Sequence, residues 1–148
     1  LAIGEYLAEK NPALLPADPA ARAIARAVTA EMHSGFQNLR SRMPMNIRKD
    51  YTGFGHSPEV DADITRIIAI WNDCRARFGA DGPYLFGRFS LADAAFAPVA
   101  FRFQTYGVKP EGAASAYLAT LLANPHMQDW AAAARAETES LSEEDLYG

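Results

Sequence analysis

The sequence predicts an all-α domain, and three observations carry that prediction. Apolar residues recur at helical spacing through two long stretches, residues 20–43 and 58–78. A capping residue followed by proline stands in front of each, as Asp18-Pro19 and Ser57-Pro58. No stretch alternates apolar and polar residues as a half-buried strand requires, and no internal repeat is present.

The elements follow in order. Residues 1–10 place Ile3, Tyr6 and Leu7 on one helical face, yet Leu1 offers no start signal, so the expectation is a helix whose beginning lies upstream. Residues 12–19 carry three prolines and read as a linker or sharp corner. Asp18 then caps a helix in which Ile24, Val28, Met32, Phe36, Leu39 and Met43 form one apolar stripe over about six turns. Ala20, Ala23, Ala27 and Ala30 form a second stripe of small residues, which lets another helix approach closely. Pro44 ends or kinks this helix. Residues 50–58, with Tyr51, Phe54 and His56 among glycines and a proline, read as a loop. The helix from Pro58 buries Val60, Ile64, Ile67, Ile68, Trp71 and Phe78, and residues 79–83 stop it.

Ser90-Leu91-Ala92-Asp93 is a capping box. It opens a helix over 90–106 that is almost free of charge beyond Arg102, as a central, buried helix would be, and Pro98 should kink it. Shorter helices at 112–123 and 126–137, parted by Asn124-Pro125, complete the chain.

The chain has 148 residues, enough for one domain with a substantial core. It is 49% hydrophobic and 22% charged, a globular profile. No apolar run approaches the ~20 residues of a membrane span, and nothing near Leu1 has the order of a signal peptide. One cysteine, Cys74, excludes an internal disulfide framework and suits a reducing compartment. The expectation is a cytoplasmic protein without membrane contact. The formal net charge is -4 and the fourteen basic residues are scattered, so nucleic-acid binding is not expected. Residues 137–145 hold five acids and no base and read as a frayed, solvated terminus.

The run Leu85-Phe86-Gly87-Arg88-Phe89-Ser90-Leu91-Ala92-Asp93, placed after two long helices, resembles the C-terminal domain of cytosolic glutathione transferases. That family opens its core helix with an aromatic residue, serine or threonine, isoleucine or leucine, alanine and aspartate, and residues 89–93 match position for position. Ala2-Ile3 with Tyr6-Leu7 is similar to half of the motif in the last helix of the family's thioredoxin-like N-terminal domain. Glu31-Met32-His33-Ser34-Gly35-Phe36, Leu39-Arg40 and Met43-Pro44-Met45-Asn46 resemble a bacterial subgroup.

The resemblance implies a domain plan: residues 1–10 a remnant helix of a thioredoxin-like domain, 11–19 a linker, and 20–148 a helical bundle of about five helices. It implies glutathione as co-substrate of the intact protein, with the residues that grip it lying before Leu1, so that this chain alone would be inactive. The expected partners are a small apolar electrophile and a second copy in a homodimer, which the alanine stripe could serve as readily as internal packing.

No zinc spacing, phosphate-cradling glycine loop or serine nucleophile elbow is present, and no metal is expected. By the resemblance, the wall of an electrophile pocket comes from the C-terminal half of the helix after Asp18 and from the core helix. That points to Met32, His33, Phe36, Arg40, Met43, Arg102 and Tyr106. Met32, Phe36 and Met43 also read as core, since they continue the stripe of Ile24 and Val28. His33 and Arg40, seven apart on one face, would polarise a leaving group, hold a substrate carboxylate, or simply be solvated. Arg102, four residues before Tyr106, needs a partner such as Glu31 or Asp93 unless it faces a cleft. Cys74 reads as a small buried hydrophobe, and Ser90 and Asp93 as structural. Two functions stay open: a glutathione transferase fragment that detoxifies small electrophiles by conjugation or reduction, and a non-catalytic interaction module of the same shape. A ligand carrier without turnover is a third.

Overall fold

The computed structural model describes residues 1–139 and 146–147. Among them seven α-helices follow one another: α1 (Ala2–Lys10), α2 (Pro19–Ser34), α3 (Gln37–Arg42), α4 (Pro58–Phe78), α5 (Leu91–Tyr106), α6 (Gly112–Leu122) and α7 (Pro125–Ala136). Pro12–Leu14 makes one 3-10 turn in the linker. Extended pairing among the described residues is limited to isolated bridges joining Tyr84 to Gly87 and Phe86 to Arg88. The all-α expectation holds. Most of the expected acidic tail lies outside the described residues, but Glu137 and Glu139 within it are held, their carbonyls accepting from the Arg48 guanidinium at 2.8 and 3.1 Å.

The start signals act as the sequence suggests. Asp18 accepts from the Ala21 N–H at 2.8 Å and Ser57 from Val60 at 3.3 Å, each with proline in the first turn; Asn124, which reads in the sequence only as a break between helices, also caps, accepting from the His126 N–H at 3.0 Å ahead of Pro125.

The single long helix expected over residues 20–43 is two helices, so the bundle after the linker has six helices among the described residues rather than five. Gly35 turns extended, and Phe36 follows at φ 59°, ψ 40°, a left-handed conformation that costs a non-glycine residue ~1–2 kcal/mol. Gly35 also passes so close to the Glu31 carbonyl that a Cβ would stand 2.8 Å from it. Burial of the Phe36 ring, only 8% exposed, offsets the strain. The apolar stripe survives the break because Met32, Phe36, Leu39 and Met43 all still enter the core.

Two further faces differ from expectation. On α4 it is Ile70, not Ile68, that is fully buried beside Ile67, Trp71 and Cys74, while Phe78 is half-buried. On α2 the buried small residues are Ala21 and Ala25, whereas Ala20, Ala23 and Ala27 face outward. Helix α1 rests on the bundle through Ala8 and through Gly4, which lies against Leu91. Its apolar face points away, with Ile3 77% exposed.

Helix α5 is the centre. It packs on α2 and α6, and α4 packs on α6 from the other side. Trp71 of α4 closes the core edge-on to Phe96 and Tyr117, with centroids 5.9 and 4.9 Å apart, and tilted against Phe103 at 5.3 Å.

The start of α5 carries the capping box and more. Asp93, fully buried, accepts from the Ser90 N–H and the Ser90 hydroxyl, each at 2.8 Å. It also accepts from the Leu85 N–H and the Tyr117 hydroxyl, each at 3.1 Å. One carboxylate thus joins the 84–89 turn, α5 and α6. Ser90→Ala is expected to cost ~1 kcal/mol through lost capping. Asp93→Ala is expected to cost ~3 kcal/mol or more, because several buried donors lose their acceptor together. Denaturant midpoints of the two variants measure this; equal small shifts would show that the Leu85 and Tyr117 bonds contribute nothing.

Candidate functional site

The residues singled out from the sequence fall into two groups. Met32, His33 and Arg40 meet at the α2–α3 break, with Phe36 at its centre. The Arg40 guanidinium turns back under α2 and donates to the carbonyls of Met32 and His33, at 3.1 Å for the latter. These belong to the last turn of the helix, which lacks internal donors. His33 is exposed while Met32 and Phe36 are buried. The break is why His33 and Arg40 do not share one helix face: they sit on separate helices tied by a side-chain-to-backbone bridge. The Leu39 N–H donates to Asp63 at 3.0 Å and seats α3 on α4.

Met43, Arg102 and Tyr106 form the second group, at the far end of α5. Arg102 donates through Nε to the Met43 carbonyl at 2.8 Å and through Nη1 to the Pro98 carbonyl at 3.3 Å. Thr105 Oγ1 donates to the Asn46 carbonyl at 2.6 Å, and the Tyr106 hydroxyl to Pro44 at 3.0 Å. Three side chains from the last turns of α5 therefore clamp residues 43–46. The ion pair expected between Arg102 and Glu31 or Asp93 is not formed. Glu31 makes a two-point pair with Arg66 of α4, at 2.7 and 2.9 Å. Asp93 lies nine positions away, ~13 Å along the axis, and is committed at the helix start.

A separate pocket of about 110 Å³ opens between α1, α2 and the start of α5. Leu1, Gly4, Leu15, Thr29 and Leu91 line it. Beside them Glu5 and Arg26 pair through Arg26 Nε and Nη2 at 3.0–3.1 Å. The guanidinium holds the Glu5 carboxyl below its usual range. None of the residues expected from the sequence lines this pocket, because helix docking alone brings its walls together. Sequence reasoning also missed an aromatic cluster of Tyr51, Phe54, Tyr106 and Tyr147 at the clamped end of α5. The signal that could have found it was an aromatic pair in a glycine-rich loop. Among the described residues no group of three His, Cys, Asp or Glu side chains gathers as metal ligands would. No described helix is long and apolar enough to cross a membrane.

Comparison with known proteins bears on this arrangement. Residues 56–133 match the family model described as the glutathione S-transferase, C-terminal domain. No curated protein matches the chain.

The matched stretch contains the lone cysteine. Cys74 is fully buried on α4, and burial, aided by nearby Asp73, pushes its thiol up to about 12. A thiol of that kind stays protonated and inert. Iodoacetamide at pH ~8.5, where a free thiol is half ionised, is therefore expected to leave the folded protein unmodified and to alkylate it once in guanidinium. Intact mass reads both states; rapid modification of the folded protein would contradict the assignment.

Proposed function

The chain belongs to the glutathione S-transferase C-terminal domain family, and from that premise we propose that it supplies the electrophile-side wall of a glutathione-dependent transferase acting on small apolar electrophiles. The observation that carries the placement of the wall is Phe36, held left-handed at the α2–α3 break. A bulky residue in that conformation marks strain that a fold keeps at functional positions.

In this reading glutathione thiolate attacks the electrophilic carbon, a carbon–sulfur bond forms, and the leaving group departs with its electron pair. His33 and Arg40 stand where the electrophile would meet the break, as donors toward negative charge developing on it. Met32, Phe36 and Met43 back the wall from the core. Arg102 and Tyr106 hold the backbone at residues 43–46 that ends it. Glutathione binding and thiol activation belong to a thioredoxin-like unit: no sheet exists among the described residues. The exposed Ile3, Tyr6 and Leu7 support reading residues 1–10 as a helix of that unit and 11–19 as its linker. The outward Ala20, Ala23 and Ala27 fit a homodimer contact, and the cytoplasm is where glutathione would be met.

The test uses the protein expressed from its natural open reading frame, with glutathione and chlorodinitrobenzene. Glutathione-dependent conjugate formation is expected there, and none from the 148-residue chain alone. His33→Ala and Arg40→Ala are each expected to raise KM for the electrophile about fivefold, ~1 kcal/mol, with KM for glutathione unchanged. No turnover with chloronitroarene or hydroperoxide substrates would favour the interaction-module reading instead. Turnover by the 148-residue chain would overturn the assignment of thiol activation to another unit.

A further inference from the structure

The last described residues return to the clamped end of α5. The Tyr147 ring lies against three others: Phe54 at 5.1 Å, Tyr51 at 5.5 Å and Tyr106 at 6.2 Å between centroids. The contacts with Tyr51 and Tyr106 are edge-on, at 74° and 81°. Its hydroxyl donates to the Arg42 carbonyl at 2.7 Å. Arg48 draws the preceding backbone toward the same loop through its bonds to Glu137 and Glu139.

The notch is built by the rest of the fold. Arg42 ends α3, so its carbonyl lacks an intrahelical donor. Gly55, at φ +76°, passes so close that a Cβ there would stand 2.5 Å from that carbonyl oxygen. The Tyr51 N–H donates to the Thr105 carbonyl at 2.8 Å, and the Tyr106 hydroxyl to Pro44. Tyr51 and Tyr106 are thereby fixed walls, 3% and 1% exposed. Aromatic walls offering both faces and edges, with one acceptor at the base, suit an aromatic ring that carries a hydroxyl donor.

We propose that this notch is a binding site for small phenolic compounds and that Tyr147 is its built-in competitor. A tethered ring competes at an effective concentration of the order of millimolar, so only phenols that are abundant or bind tightly displace it. The proposal shares Tyr106 with the transferase reading but uses neither glutathione nor His33 and Arg40, and its variants change only Tyr147 and Gly55, so its failure and that of the transferase reading are separate results.

The probe is para-cresol, the side-chain analogue of Tyr147, titrated into the whole chain by ligand-observed NMR, with toluene as the ring lacking a hydroxyl. Saturable cresol binding to Tyr147→Ala, about tenfold or more tighter than to wild type, is expected, with toluene bound more weakly. Adding Gly55→Ala to that variant should abolish it. Equal cresol affinity for wild type and Tyr147→Ala, equal binding of toluene and cresol, or no saturable binding would each overturn the proposal. Should circular dichroism show that Tyr147→Ala does not fold, Tyr147→Phe decides: it keeps the ring but loses the bond to Arg42, and must bind cresol more tightly than wild type does.

Discussion

The carboxylate of Asp93 is the constraint on which the rest of this fold depends. It sits in the core and gathers the Leu85 N–H, the Ser90 N–H and hydroxyl, and the Tyr117 hydroxyl. Burial pushes its carboxyl above the ordinary range, while the donors pull the other way. Tyr117 is pushed well up in turn, by its own burial and by the carboxylate beside it, so it stays a neutral donor. A group this deep is tolerated because both oxygens are engaged. Through it the turn at 84–89 and α6 are tied to the first turn of α5.

Once that end is set, α5 behaves as a ruler. Its first residues place Leu91 against Gly4 and shape the pocket under α1. Its last turns, at the other end of this 16-residue helix, clamp residues 43–46 and support Tyr51. The first end therefore borders helices α1 and α6, while the last borders the 43–57 loop, and loops are where a rigid scaffold carries its chemistry. The middle is spent on packing: Phe96, Val99, Ala100 and Phe103 are fully buried.

The break at Gly35 and Phe36 gives the molecule its second organising feature. Without it, Arg40 would extend from the same helix face as His33. With it, the guanidinium closes the end of α2, and α3 is free to be seated by Asp63 of α4. Strain at one residue is thus converted into the placement of a short helix whose last carbonyl receives Tyr147.

Much of this was legible in the sequence. Asp18, Ser57 and the 90–93 box announced their helices because capping is local: donor and acceptor lie within a few residues, and the chemistry of the pair suffices. The spacing of Ile24, Val28 and Met32 showed which face turns inward, because burial follows helical period. The family resemblance lay in those same local motifs. What the sequence could not determine was any contact between distant segments. Arg102 donates to the backbone carbonyls of Met43 and Pro98, and a carbonyl carries no residue identity to read. The α2–α3 break interrupts no apolar spacing, since Phe36 keeps its place in the core by adopting a left-handed backbone. The notch that takes Tyr147 joins residues 42, 51, 54 and 106 with the chain's end. Local chemistry determined where helices start and which faces they bury; only tertiary packing, which decides what long-range backbone groups meet, placed the side chains that border the candidate sites.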